Sequence, residues 1–198
     1  MKYDGDELSE ENAKGLIRDR FLGNSLWPYD ARLDIILPNI LVRLPDNDLV
    51  YLMDEMNIQV VQISANTVIK IPSRNLPFEP QAHFIPLKQV ESDVRFITFE
   101  TGIFDVTLSQ TTYTIAHEFA HAFLGHDFND EQISKKMQNF KGETAPPEEL
   151  ETDKKVIEWG FEDEVRDSDM SYIYHWEKVK KRNPGLFSTM PVKKDLGG

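Results

Sequence analysis

Apolar residues recur at helical spacing three times in the first third of the chain. Between about Glu7 and Leu22, the positions Ala13, Leu16, Ile17 and Phe21 line one side of an otherwise polar run that Gly23 closes. After a turn at Trp27, Pro28 and Tyr29, Asp30 is placed to cap the segment Ala31–Leu44, which Pro38 should kink or divide. Asp46–Met56 predicts a third helix that buries Leu49, Leu52, Met53 and Met56. The period then shortens. Ile58–Ile63 and Thr67–Ile71, rich in Val and Ile and parted by Ser64, Ala65 and Asn66, predict a hairpin. The prolines from Pro72 to Pro86 predict an irregular surface loop with His83 as an ordinary polar residue. Val94–Glu100 and Ile103–Leu108 predict a second strand pair that turns at Thr101 and Gly102.

Helical spacing returns in YTIAHEFAHAFLGHD, Tyr113 to Asp127. Ser109 is placed to cap this helix, Tyr113, Ala116, Ala120 and Phe123 form its apolar stripe, and Gly125 is placed to end it. It carries His117, Glu118 and His121 in the order HExxH. Residues four apart lie one above the other on a helix, so both imidazoles reach one metal ion. Glu118 projects beside such an ion and is placed to take a proton from water, as a general base does. The bland alternative is an incidental cluster. A largely apolar helix with three polar groups on or beside its core face must still find partners for them, and a metal supplies all at once.

Catalytic zinc usually takes three protein ligands. A third ligand ten positions after the first His, with a glycine at seven, does not fit, because Leu124 and Asp127 stand there. The helix predicted over Pro146–Trp159 is the better source. It opens Pro-Pro-Glu-Glu, as a helix N-terminus should, and Glu149, Asp153, Val156 and Gly160 share one stripe. Glu149 is the expected third ligand, with Asp153 expected to accept the spare ring N–H of His117 or His121. Glu148, His126 and Asp127 compete for the ligand role. A last helix, Met170–Arg182, is expected behind a cap at Asp169 and before the stop Asn183-Pro184-Gly185. Tyr113, Tyr172, Tyr174 and His175 are the candidates to steady an oxyanion, each weighed against simple packing.

These elements make an α+β protein, a small twisted sheet packed on a metal-binding helix and on the helix that follows. Residues 1–56 read as an N-terminal helical extension packed on a core spanning 57–182, and 183–198 as a tail. Composition narrows the chemistry. The 198 residues include no cysteine, which removes disulfides, thiolate metal sites and a Cys nucleophile and leaves His and carboxylates as the strong ligands. A net charge of -12 argues against nucleic acid as a partner, and the only basic run, Lys178 to Arg182, reads as a solvated helix end. The polar start MKYDGDELSEEN holds no signal core. The apolar run Ile35–Leu44 is too short and interrupted to span a bilayer, so no membrane partner and a cytoplasmic location are expected.

HEFAH followed by ELETD resembles the gluzincin metallopeptidases, and the run TIAHEFAHAFLGH is similar to the ImmA/IrrE-type peptidases. The resemblance covers roughly Thr111–Phe161 and the strands before it. It implies zinc as cofactor, His117, His121 and Glu149 as its ligands, Glu118 as the base, and an intracellular protein substrate such as a repressor or other regulatory protein. The run KKVIEWGF after Asp153 departs from that family's pattern, and residues 1–56 lie beyond it. Two functions follow as expectations. One is a zinc-dependent endopeptidase. The other is a catalytically idle, regulatory metal-binding protein that uses the same scaffold to hold a protein partner, for which a base at Glu118 has no purpose.

Overall fold

A computed structural model describes residues 1–23, 29–63, 82–86, 95–126 and 145–182. The chain opens with a short antiparallel ribbon, β1 (Lys2–Tyr3) and β2 (Asp6–Glu7), that turns through Asp4 and Gly5 at positive φ. The ribbon delays the first helix. Ser9, whose hydroxyl accepts from the Asn12 N–H, starts α1 (Glu10–Phe21) three residues later than the apolar spacing suggested. Next come α2 (Leu33–Leu41), which carries Pro38 inside it, and α3 (Asp46–Asp54).

Among the described residues the sheet is three-stranded and mixed. β3 (Ile58–Ile63) runs parallel to the central β5 (Arg95–Glu100), and β4 (Ala82–Pro86) pairs antiparallel on the other side of β5. Two expectations are corrected here. The proline-rich stretch is not irregular throughout, because Ala82–Pro86 is a strand, and Pro86 closes it at a terminal position where a missing N–H costs least. Ile103–Leu108 is not a strand. Thr101–Phe104 forms a single 3-10 turn that sends Ile103 into the core, and the Thr111 hydroxyl donates to the Ile103 carbonyl at 2.7 Å, tying that turn to the next helix. The expected strand Thr67–Ile71 lies outside the described residues.

That next helix, α4 (Leu108–Phe123), is capped by Thr107, which accepts from the Gln110 N–H, and not by Ser109 as the sequence suggested. It runs through the middle of the molecule, against α2 and α3 on one side, β4 and β5 on another, and the helices that follow. Among the described residues those are α5 (Pro147–Glu158), α6 (Glu162–Asp167), which the sequence pattern did not reveal, and α7 (Tyr172–Arg182), kinked at His175. Gly160, at φ +87, makes the turn from α5 toward α6. Asp169 does not cap α7. It binds Lys178 and Arg182 at 2.7 and 3.0 Å, while the Ser171 hydroxyl accepts the Tyr174 N–H and takes the capping role. Those two ion pairs occupy part of the basic run.

One hydrophobic core joins the N-terminal helices to the rest. Leu33, Leu37, Leu41, Leu49 and Leu52 are buried with Ile97, Phe99, Phe119, Val156 and Phe161, and Phe21 meets Phe119 edge-on at 5.1 Å. The architecture is therefore α+β. Among the described residues no helix is long and apolar enough to cross a membrane.

Candidate metal centre

One face of α4 and one face of α5 meet over three side chains. His117 and His121, a helical turn apart, bring their Nε2 atoms to 3.0 Å from each other, and Glu149 of α5 places Oε2 at 3.1 and 3.3 Å from them. Ligand atoms 2.0–2.1 Å from a tetrahedral zinc are separated by about 3.3 Å, so this triangle is already near the size of a zinc shell. Two imidazole nitrogens so close also need something positive between them. The donor set, two histidines and one carboxylate, is one that catalytic zinc uses, and the three residues fit the ion.

Behind the triangle lies a fully buried carboxylate. Asp153 accepts at Oδ1 from the Tyr113 hydroxyl (2.7 Å) and from His117 Nδ1 (3.1 Å), and at Oδ2 from the Ser171 hydroxyl (3.2 Å) and the Ile173 N–H (2.9 Å). A histidine that donates from Nδ1 turns a lone pair outward from Nε2, which is the atom facing Glu149. Of the two histidines expected to use Asp153, it is His117 that does. The Asp153 bonds also draw in the start of α7, so the residue ties three helices to one ligand.

His121 has a different partner, one the sequence reading missed. Its Nδ1 lies 3.2 Å from the hydroxyl of Thr152, which is buried and donates to the Glu148 carbonyl at 2.8 Å. The signal in the sequence was faint, a single Thr three positions after the candidate ligand on the same helical face. His126, a competitor for the third ligand, sits on the Nδ1 side of His121 at 3.0 Å and reaches Glu151 at 3.4 Å, away from the triangle. Glu148 is not part of the triangle either, and Asp127 lies outside the described residues.

Glu118 follows His117 directly and keeps only 9% of its surface. The four candidates for an oxyanion donor separate cleanly. Tyr113 is committed to Asp153, His175 Nε2 pairs with the Arg166 carbonyl at 2.9 Å, and Tyr174 is 43% exposed. Tyr172 remains at the site, its ring stacked on that of His117 at 5.9 Å and 14°. Burial raises its phenol pKa well above the ordinary value, and the charges of Glu149, Asp153 and Glu118 add to the effect. Both effects favour the protonated hydroxyl, the form that donates a hydrogen bond.

No family model matches the chain, and no curated protein or solved structure matches it either. The residues must speak for themselves. Burial disfavours charge on His117, but the hydrogen bonds and charges of Asp153 and Glu149 outweigh it and hold its pKa at about 10. Burial likewise opposes charge on Glu149, yet His121 and His117 beside it hold its carboxyl well below the usual range. Protein groups alone thus put a cation, a proton on a ring, where two carboxylates want one. A divalent ion does the same with more charge and no need for either ring to be protonated.

Proposed function

We propose that this protein is a zinc-dependent endopeptidase. The observation that carries the reading is the convergence of His117, His121 and Glu149, with His117 oriented from behind by Asp153. The elements suit a zincin arrangement, in which a mixed sheet leads into the HExxH helix and the next helix supplies the third ligand. Zinc supplies Lewis acidity, which lowers the pKa of water and polarises a carbonyl.

The chain's own residues provide the remaining functions. Glu118, beside the ligand face, accepts the proton of the attacking water and later returns it to the leaving amine. Tyr172 donates a hydrogen bond to the oxygen on which negative charge develops. Asp153, Tyr113 and Ser171 hold His117 and the start of α7 in place, and with them the Tyr172 ring stacked on His117. HEFAH and ELETD, by their likeness to ImmA/IrrE-type peptidases, support an intracellular regulatory protein as substrate.

The test combines metal analysis with cleavage assays. Purified protein should carry about one zinc per chain. Glu118→Gln should keep that zinc and lower turnover by roughly a hundredfold to ten-thousandfold, since Gln is nearly isosteric but accepts no proton. Protein that stays metal-free after refolding with zinc would refute the reading. A Glu118→Gln variant with full biological effect, beside an inactive His117→Ala, would replace it with an idle metal-binding regulator.

A further inference from the structure

To bind a metal, each histidine of the triangle must offer a bare Nε2, and it does so when the proton sits on Nδ1. An Nδ1–H inside a protein then needs an acceptor. Asp153 serves His117. Among the described residues, the Thr152 hydroxyl at 3.2 Å and His126 Nδ1 at 3.0 Å stand around Nδ1 of His121.

The hydroxyl is the better acceptor. It has one proton, and that proton is directed at the Glu148 carbonyl one helical turn back, at 2.8 Å. What it turns toward His121 is lone-pair density. Thr152 is fully buried on α5, rigidly placed between Glu149 and Asp153. His126 stands in the turn after α4, beyond Gly125, and its Nδ1 is itself 3.2 Å from the same hydroxyl.

We propose that Thr152 is the positioning residue of His121: it accepts the Nδ1–H, fixes the tautomer and aims Nε2 at the metal. Two consecutive residues of α5, Thr152 and Asp153, then support the two histidines of α4, one each, beside the Glu149 that completes the ligand set. The inference rests on the metal reading above and adds to it a role for a residue that is not itself a ligand.

The distinguishing variant is Thr152→Val, nearly the same shape without the acceptor. In metal-free protein His121 is able to move its proton to Nε2, so the substitution should leave the thermal midpoint of that form close to wild type. In the zinc-loaded protein that escape is closed, because Nε2 is occupied. Zinc affinity, measured by chelator competition at fixed pH, should therefore fall about 10–100-fold in Thr152→Val and recover in Thr152→Ser. Wild-type affinity in Thr152→Val overturns the proposal, and so does a loss confined to His126→Ala. Nitrogen-correlated NMR of zinc-loaded wild type checks it without any substitution. His121 should show a slowly exchanging Nδ1 proton, and a spectrum with Nδ1 bare overturns the assignment. If wild type itself binds no zinc, the metal reading fails and this inference falls with it, an outcome distinct from a wild type that binds zinc with Thr152→Val unaffected.

Discussion

The hydroxyl of Tyr113 and the carboxylate of Asp153, forty positions apart in the chain, share a buried 2.7 Å hydrogen bond that clamps α4 to α5. The same carboxylate oxygen accepts from His117, so the clamp and the orientation of a candidate metal ligand are one structure. Asp153→Ala removes the acceptor for Tyr113, Ser171, His117 and the Ile173 N–H together. It should cost on the order of 3–5 kcal/mol, as loss of one partner in a buried charged network does. Tyr113→Phe removes a single bond and should cost about 1–2 kcal/mol. Denaturant titration of the two variants orders them, and equal losses would mean that Asp153 is not the hub of the network.

Stability against pH should differ between the metal-free and zinc-loaded forms. The folded pKa of His117, about 10, lies above its ordinary value of 6.5, so its contribution is fully present below 6.5 and is lost as pH rises through 10. Glu149 has the opposite sign. Its folded pKa is depressed below 4.5, so its contribution is present above 4.5 and is lost as pH falls through the depressed value. After chelation the melting temperature should peak between pH 4.5 and 6.5 as far as these two groups decide it, then decline toward pH 10. Zinc should raise the alkaline limb most, because competition from the His117 ring proton falls away as pH rises toward 10. A chelated protein with a flat profile from pH 6.5 to 10 would contradict the pairing of His117 with the two carboxylates.

Tyr172→Phe keeps the ring that stacks on His117 and removes the donor. Turnover should drop on the order of 100–1,000-fold while zinc content stays at the wild-type level. Tyr174→Phe, altering an exposed hydroxyl on the same helix, serves as the control and should change neither. If the control falls as far as Tyr172→Phe, the donor has been misassigned.

Phe21 reaches from α1 into the centre of the molecule, where it packs edge-on against Phe119 of α4. Phe21→Ala should destabilise the whole chain by about 3–5 kcal/mol in one cooperative transition. Two separate transitions, with only the first one shifted, would show instead that residues 1–56 fold as an independent unit.

Much of the site was legible because helical periodicity is a local property. HExxH places His117 and His121 on one face whatever surrounds them, and the stripe Glu149, Asp153, Val156 marks the side of α5 that has to be covered. The N-terminal helices were readable for the same reason. Spacing cannot say which histidine a carboxylate will meet, since that depends on how two helices cross. Only packing gave Asp153 to His117 and Thr152 to His121, turned His126 away from the triangle, and left Tyr172 over the ring after Tyr113 had been claimed elsewhere. The sheet shows the same division. Val94–Glu100 reads as a strand from its residues, but β5 became central because β3 and β4 pair on either side of it, a choice of partners that spacing along the chain does not encode. Ile103 and its neighbours alternate as a strand would, yet the hydrogen bond from Thr111 and the burial of Ile103 curl them into a turn. A helical face is set within a few residues of chain, whereas strand pairing and the partners of buried polar groups are set by whatever the fold brings alongside them.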